Sequence, residues 1–251
     1  MCLILFAHQC HPEYKLIVAA NRDEFYERPT LPAGWWDEHP DLLAGKDLVG
    51  KGSWFGITRT GRFAAITNIR EPDRFDKNAP SRGPLVTNFL TGNMPPAEYA
   101  AGLLQHSEAY NGFNLLVGDL EDLYYVSNRK AAVEKLPAGI FGLSNDLLDT
   151  PWPKVENGKR NLKNLIRGGG YPDPNKLLDQ LYDRNIAPDA ELPKTGVPLE
   201  WERSLSAVFI ESPRYGTRCS TILLINSDKE VFFKEKGYIP ESERKFHFNI
   251  D

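Results

Sequence analysis

Cysteine is scarce in this chain of 251 residues, which has only Cys2, Cys10 and Cys219. An odd, widely spaced set gives neither a disulfide framework nor paired metal-ligand spacing, and it points to a reducing, cytoplasmic compartment. Basic excess is also missing. A formal net charge of −4 argues against nucleic acid or an anionic membrane surface as partner, because both call for surplus lysine and arginine. No apolar run approaches the ~18 residues of a membrane span. The first apolar run has no basic stretch ahead of it and is interrupted by His8-Gln9-Cys10-His11, so no secretory signal is expected. Internal repeats and low-complexity segments are absent as well. What remains, 41% apolar and 25% charged residues, is ordinary for a globular protein. The length suits one domain over 1–251.

Two continuous apolar runs, 2–7 and 15–20, read as strands joined by a turn at Cys10-His11-Pro12-Glu13. Continuous rather than alternating runs predict a sheet covered on both faces. Residues 25–46, rich in proline, tryptophan and acidic side chains, read as a long ordered loop whose Trp35-Trp36 either lines a pocket or covers a core edge. Trp54 to Thr58 and Phe63 to Thr67 form a hairpin about Thr60-Gly61, and 113–118 and 123–127 form another. Helices are expected from Ser81-Arg82-Gly83-Pro84 to Gly92, from Pro96 to about His106, from Pro153 to the Gly168-Gly169-Gly170 stop, and over 174–184. Residues 140–145 read as a strand and 186–203 as a proline-rich connection. Three final strands follow at 207–210, 219–225 and 231–233. Strands, then helices, then strands favour a layered α+β domain over alternating βαβ units.

The chemistry starts at position 2. If Met1 is removed, Cys2 becomes the N-terminus and carries nucleophile and base together, a thiol that attacks and an α-amino group that takes its proton. Both groups titrate near working pH, at about 8.5 and about 7.7–8.0. The second run delivers Asn21-Arg22-Asp23-Glu24 one hairpin later, placing Arg22 and Asp23 as candidates to hold amine and substrate. Cys2 reads equally as a buried strand residue, and the polar cluster as a solvated turn.

Three strand-like segments end on asparagine, at Asn21, Asn68 and Asn145, and Arg218 directly precedes an apolar strand. An asparagine amide can donate to a developing oxyanion, although asparagine also ends strands simply because it tolerates turns. Gly50-Lys51-Gly52-Ser53 lacks the full phosphate-loop pattern.

These motifs together resemble the NRDE family, also called the transport and Golgi organisation protein 2 family. The residues concerned are Cys2, Asn21-Arg22-Asp23-Glu24, Gly45-Lys46-Asp47-Leu48, Gly52-Ser53-Trp54-Phe55-Gly56, Thr67-Asn68-Ile69-Arg70-Glu71 and Ser81-Arg82-Gly83. Gly142-Leu143-Ser144-Asn145, the run from Leu148 to Lys154, and Tyr215-Gly216-Thr217-Arg218 with Ser220-Thr221 complete the set. The resemblance implies a four-layer αββα sandwich of N-terminal nucleophile (Ntn) hydrolase type with two mostly antiparallel sheets. It is similar to the choloylglycine hydrolase and penicillin V acylase group. It implies a catalytic set of Cys2, Arg22, Asp23, Asn68, Asn145 and Arg218, hydrolysis of a small amide or thioester, and no cofactor. In the wider group the arginine and aspartate stand slightly apart, whereas here they are adjacent. Adjacent strand residues face opposite ways, so both can point at Cys2 only if the chain turns at Asn21-Arg22.

The same resemblance implies a second use of the pocket, binding and trafficking of haem or of an acyl-CoA or lipid-like small molecule without chemistry. A haem ligand is then expected from Cys2, His8, Cys10 or His11, or from a histidine further off. The histidine cluster itself reads as a polar hairpin turn, since a second ligand pair for zinc is missing.

Overall fold

The structure, a computed structural model, describes residues 2–251. Met1, whose removal the proposed chemistry requires, lies outside the described residues. Thirteen strands among the described residues fall into two antiparallel sheets. The first holds β1 (Cys2–His8), β2 (Tyr14–Phe25), β10 (Gly139–Leu143), β11 (Tyr215–Asn226), β12 (Glu230–Tyr238) and β13 (Glu241–Asn249), in the order β10-β1-β2-β11-β12-β13. The second runs in sequence order from β3 (Thr30–Trp36) through β4 (His39–Asp47), β5 (Phe55–Thr58), β6 (Phe63–Asn68), β7 (Phe113–Gly118) and β8 (Leu123–Ser127) to β9 (Lys130–Lys135).

Strand alternation explains the layers. Ile4 and Phe6 of β1 point between the sheets, where they meet Phe55, Phe63, Tyr125 and Phe233. Leu3 and Leu5 point the other way, onto α3 (Pro153–Ile166) and α4 (Pro174–Leu181). The apolar run at 2–7 is therefore continuous because both of its faces are covered. The second sheet is covered on its outer face by α1 (Gly83–Thr91) and α2 (Pro96–Leu104), through Val86, Phe89 and Ala100 against Ala64, Leu115 and Val117. The result is the expected αββα sandwich.

Local signals place the helices. Proline opens α2, α3 and α4, where a missing N–H costs nothing. Asp173 caps α4 by accepting from the Asn175 N–H at 2.9 Å. Gly158 lets α3 lie close on the sheet, since a Cβ there would come within 2.6 Å of Leu5.

Three expectations need correction. Residues 25–46 are not a loop. They hold the end of β2 and the β3–β4 hairpin, whose register shifts between Leu31 and Gly34 hide the alternation. Trp35 packs on Phe246 and Phe248 and Trp36 donates to the Ala44 carbonyl, so both cover core. Residues 207–210 are buried but form no ladder; Phe209 N donates to the Asp183 carbonyl and Ile210 N to the Thr217 hydroxyl. The proline-rich connection includes part of a further helix, α5 (Leu199–Ser206). A charged final strand, β13, pairs with β12 and forms an exposed sheet edge of the kind that charge protects from aggregation.

Candidate active site

At the end of the sandwich where β1 starts, the two sheets enclose a cavity of about 680 Å³. Cys2, Arg22 and Cys219 lie side by side on its floor, because Cys2 pairs with Arg22 in the β1–β2 register and Arg22 with Cys219 in the β2–β11 register. Directly opposed residues share a face, and this face is the one that Ile4 and Phe6 present to the other sheet. Asn68 at the end of β6, Asp47 at the end of β4, and Arg82 before α1 close the other side.

The chain does not turn at Asn21-Arg22. β2 runs straight through to Phe25, and the adjacent side chains diverge as alternation demands. Arg22 crosses to the second sheet, where its Nη2 meets Asp47 Oδ2 at 3.1 Å beside Arg28 Nε at 2.7 Å. Asp23 faces the helix side. There it accepts from the Thr217 hydroxyl at 2.7 Å, while Tyr215 donates to its carbonyl at 3.2 Å. Both still border the cavity.

Burial governs the electrostatics. It pushes the Cys2 thiol up, and the Asp23 charge adds to this, while Arg22 and the Asp23 backbone N–H pull the other way. Burial also raises Asp23, against the opposing influence of Lys154, the Thr217 hydroxyl and Arg70. Cys219 is raised well above the ordinary thiol range by burial and by Glu235. Glu235 is itself raised by burial, and it accepts from the Ala33 N–H at 2.7 Å.

A family model described as Transport and Golgi organisation 2 matches residues 1–240. The chain belongs to that family. The Transport and Golgi organization protein 2 homolog of Bos taurus is 36% identical over 259 residues, covering 95% of this chain and 94% of that protein. The homolog of Homo sapiens is 35% identical over 257 residues, covering 94% and 93%. Among solved structures, a Caenorhabditis elegans N-acylethanolamine-hydrolyzing acid amidase ortholog superposes with a TM-score of 0.52 at 12% identity, covering 89% of this chain and 92% of that one. At that identity the likeness speaks for the fold alone, and it is an Ntn-hydrolase fold with two antiparallel sheets.

Of the six residues singled out in the sequence, the cavity gathers five: Cys2, Arg22, Asp23, Asn68 and Arg218. Arg218 occupies the β-bulge between Thr217 and Cys219 and donates to the carbonyls of Phe25, Arg28 and Ile239. Asn145 is fully buried behind the wall rather than in it. Its Nδ2 donates to the Asn68 carbonyl at 2.9 Å, and its Oδ1 and the Cys2 carbonyl share the single Ser144 hydroxyl proton, at 3.3 and 3.2 Å. Asn145 thus ties the Asn68 strand end to the Cys2 strand. Asn21 is a structural residue on the helix face, bonded to the carbonyls of Leu181 and Val208 and to Ser220.

His8, Cys10 and His11 lie at the far end of β1, roughly 20 Å from Cys2 at ~3.3 Å per residue. Their contacts are local: His8 Nδ1 with the Pro137 carbonyl, Cys10 Sγ with the Gly139 carbonyl, and His11 Nδ1 with the Glu13 N–H. Among the described residues no group of three or more His, Cys, Asp or Glu side chains is placed to hold a metal ion. No helix among them is long and apolar enough to cross a membrane.

Sequence reasoning passed over Glu235, Cys219, Arg82 and Lys154. Lys234-Glu235-Lys236 looks like a solvated charge run, yet Glu235 is only 4% exposed. Arg82 appeared in a helix start and in a family motif but with no role, and it lines the cavity while its guanidinium donates to the Gly112 carbonyl. The available signal was position, since all four lie beside a motif already noted or on a strand that must pair near Arg22.

Proposed function

We propose that the protein is a cysteine N-terminal hydrolase acting on a small amide or thioester. The observation that carries this reading is the placement of Cys2, at the start of β1, on the floor of the cavity directly opposite Arg22, with Asp23 also bordering the cavity. Once Met1 is released, the Cys2 thiol adds to the substrate carbonyl carbon and its proton passes to the Cys2 α-amino group. The tetrahedral oxyanion is received by the Asn68 amide, held in position by Asn145. The C–N or C–S bond then breaks, the leaving group takes the proton, and an acyl thioester remains on Cys2. Water adds to that thioester and gives its proton to the same amine. The carboxylic acid leaves and the thiol is restored. No cofactor enters the cycle. Free thiols at Cys2 and Cys219 favour a reducing, cytoplasmic setting. The test is turnover of a panel of N-acyl amides and acyl thioesters by untagged protein. Cys2→Ala should reduce any turnover found to background, and a Cys2→Ala protein of undiminished activity overturns the reading.

A second reading, binding and trafficking of haem or of an acyl-CoA or lipid-like molecule without chemistry, draws on the cavity mouth. Leu31, Val49, Phe75 and Ile239 line it and are exposed, as an apolar ligand would require. No histidine lines the cavity among the described residues, so of Cys2, His8, Cys10 and His11 only Cys2 is in place there. Haemin titration tests this: a saturable Soret shift lost in Cys2→Ala supports it, and no saturable shift counts against it.

A further inference from the structure

The cavity wall across from the Cys2 floor holds a cation with no ionic partner. Arg82, the residue before α1, lines the cavity and is half-buried. Its Nη1 donates to the Gly112 carbonyl at 2.9 Å, the one hydrogen bond its guanidinium makes among the described residues. A guanidinium carries five N–H groups in a planar fork, so four remain for a ligand. The same Gly112 carbonyl accepts from the Ile69 N–H, also at 2.9 Å. Ile69 directly follows Asn68, so the guanidinium stands beside the strand end that supplies the Asn68 amide.

Among the described residues no carboxylate forms an ion pair with Arg82. The acids whose charge reaches it are engaged elsewhere: Glu24 stands 3.7 Å from Arg28, and Glu71 accepts from Arg129 Nε at 2.8 Å. Asp76, on the same wall, accepts from the Asn78 N–H at 2.8 Å. A neutral amide donor would hold the Gly112 carbonyl as well, so the charge and four N–H groups are left over. The start of α1 is not the anion receptor. The Gly83 N–H goes to the Ser81 hydroxyl at 3.4 Å, Pro84 has no N–H, and the Leu85 N–H goes to the Arg82 carbonyl. Without those donors a single guanidinium balances a monoanion, and its fork binds a carboxylate through two parallel bonds.

We propose that Arg82 selects the ligand by binding a carboxylate on the molecule whose carbonyl reaches Cys2. The proposal names a substrate class for the hydrolase reading and rests on that reading for its purpose, but carboxylate binding at Arg82 needs no turnover. The guanidinium holds one end of the substrate beside Asn68 while the carbonyl lies over the thiol. A substrate without the carboxylate leaves the guanidinium unanswered and is discriminated against.

The test treats the full chain with iodoacetate or iodoacetamide, which alkylate a thiolate with loss of iodide and differ in charge. Rates are read by peptide mass spectrometry at Cys2 and at Cys10, which is exposed and gives the intrinsic ratio of the two reagents. In wild type the iodoacetate-to-iodoacetamide ratio at Cys2 should exceed that at Cys10 by about tenfold, as one charge-assisted hydrogen bond implies. Arg82→Gln should abolish the excess. Arg244→Gln, which removes a cation from the β13 side of the same cavity, should keep it. Changes in Cys2 exposure or ionisation move both rates together and cancel in the ratio, so a loosened variant does not imitate the result. No excess in wild type, an excess that survives Arg82→Gln, or one lost equally in Arg244→Gln overturns the proposal. A second reading does not depend on thiol reactivity. The Arg82 Nε–H resonance should shift saturably with sodium butyrate and not with sodium chloride at equal ionic strength, and coincident titrations overturn the proposal. Neither measurement uses turnover. A Cys2→Ala protein of undiminished activity would therefore remove the hydrolase reading and leave these results standing.

Discussion

Arg22 stands directly opposite Cys2 in the β1–β2 register, and its guanidinium meets Asp47 of the other sheet at 3.1 Å. The residue beside the thiol is thus anchored to the opposite wall of the cavity. Asp47 holds Arg28 as well and accepts the N–H groups of Val49 and Gly50, so one carboxylate fixes two cations and a turn.

Asp47→Asn should cost about 2–4 kcal/mol at neutral pH, since two guanidinium groups lose their partner. Burial alone would raise the Asp47 carboxyl, but Arg28, the Gly50 N–H and Arg22 outweigh it and hold it below the ordinary range. A depressed folded value contributes stability above the unfolded value of ~4 and loses it as pH falls through the folded value. Urea midpoints of wild type and Asp47→Asn should therefore converge as pH falls below the unfolded value of ~4 and through the folded one. A constant gap would show that the charge is not responsible.

Asn68→Ala and Asn145→Ala should part company. Asn68 lines the cavity, so its loss should lower kcat by about 10²–10³ with little effect on stability. Asn145 is buried with both side-chain atoms bonded, so its loss should cost about 1–2 kcal/mol in addition to activity. Paired denaturation and turnover measurements check the contrast. Equal stability losses would remove the distinction between donor and tether.

Gly52→Ala should be far more damaging than Gly83→Ala. A Cβ on Gly52 would come within 2.3 Å of the Gly83 carbonyl carbon and 2.7 Å of Pro84 N, whereas one on Gly83 finds its nearest atom, Gly52 Cα, at 3.3 Å. The first clash is with backbone that cannot swing aside, for a loss of about 3 kcal/mol or more, against ~1 kcal/mol for the second. This contact seats the start of α1, and with it Arg82, against the cavity. Thermal melts of the two variants decide the matter.

Much of the sandwich was legible because two physical signals are local. Doubly covered strands such as 2–7 and 15–20 read as unbroken apolar runs, and the helices announced themselves by proline starts and glycine stops. The hairpin bearing Cys2, Arg22 and Asp23 was visible for the same reason, since its residues are close in sequence. What was hidden depends on partners far along the chain. The β3–β4 hairpin is disguised by bulges, and β13 is a charged edge that resembles loop. Lys154 looks like an ordinary first-turn lysine until α5, itself unexpected, covers it. Glu235 likewise becomes a cavity residue only because β12 pairs beside β11 with Thr221 opposite it.

Everything proposed for Cys2 depends on its amine being free. The most direct measurement is the intact mass and N-terminal sequence of untagged protein isolated from cells. The account predicts a chain that begins at Cys2, lighter by one methionine residue, and a homogeneous preparation that still begins with Met1 would contradict it.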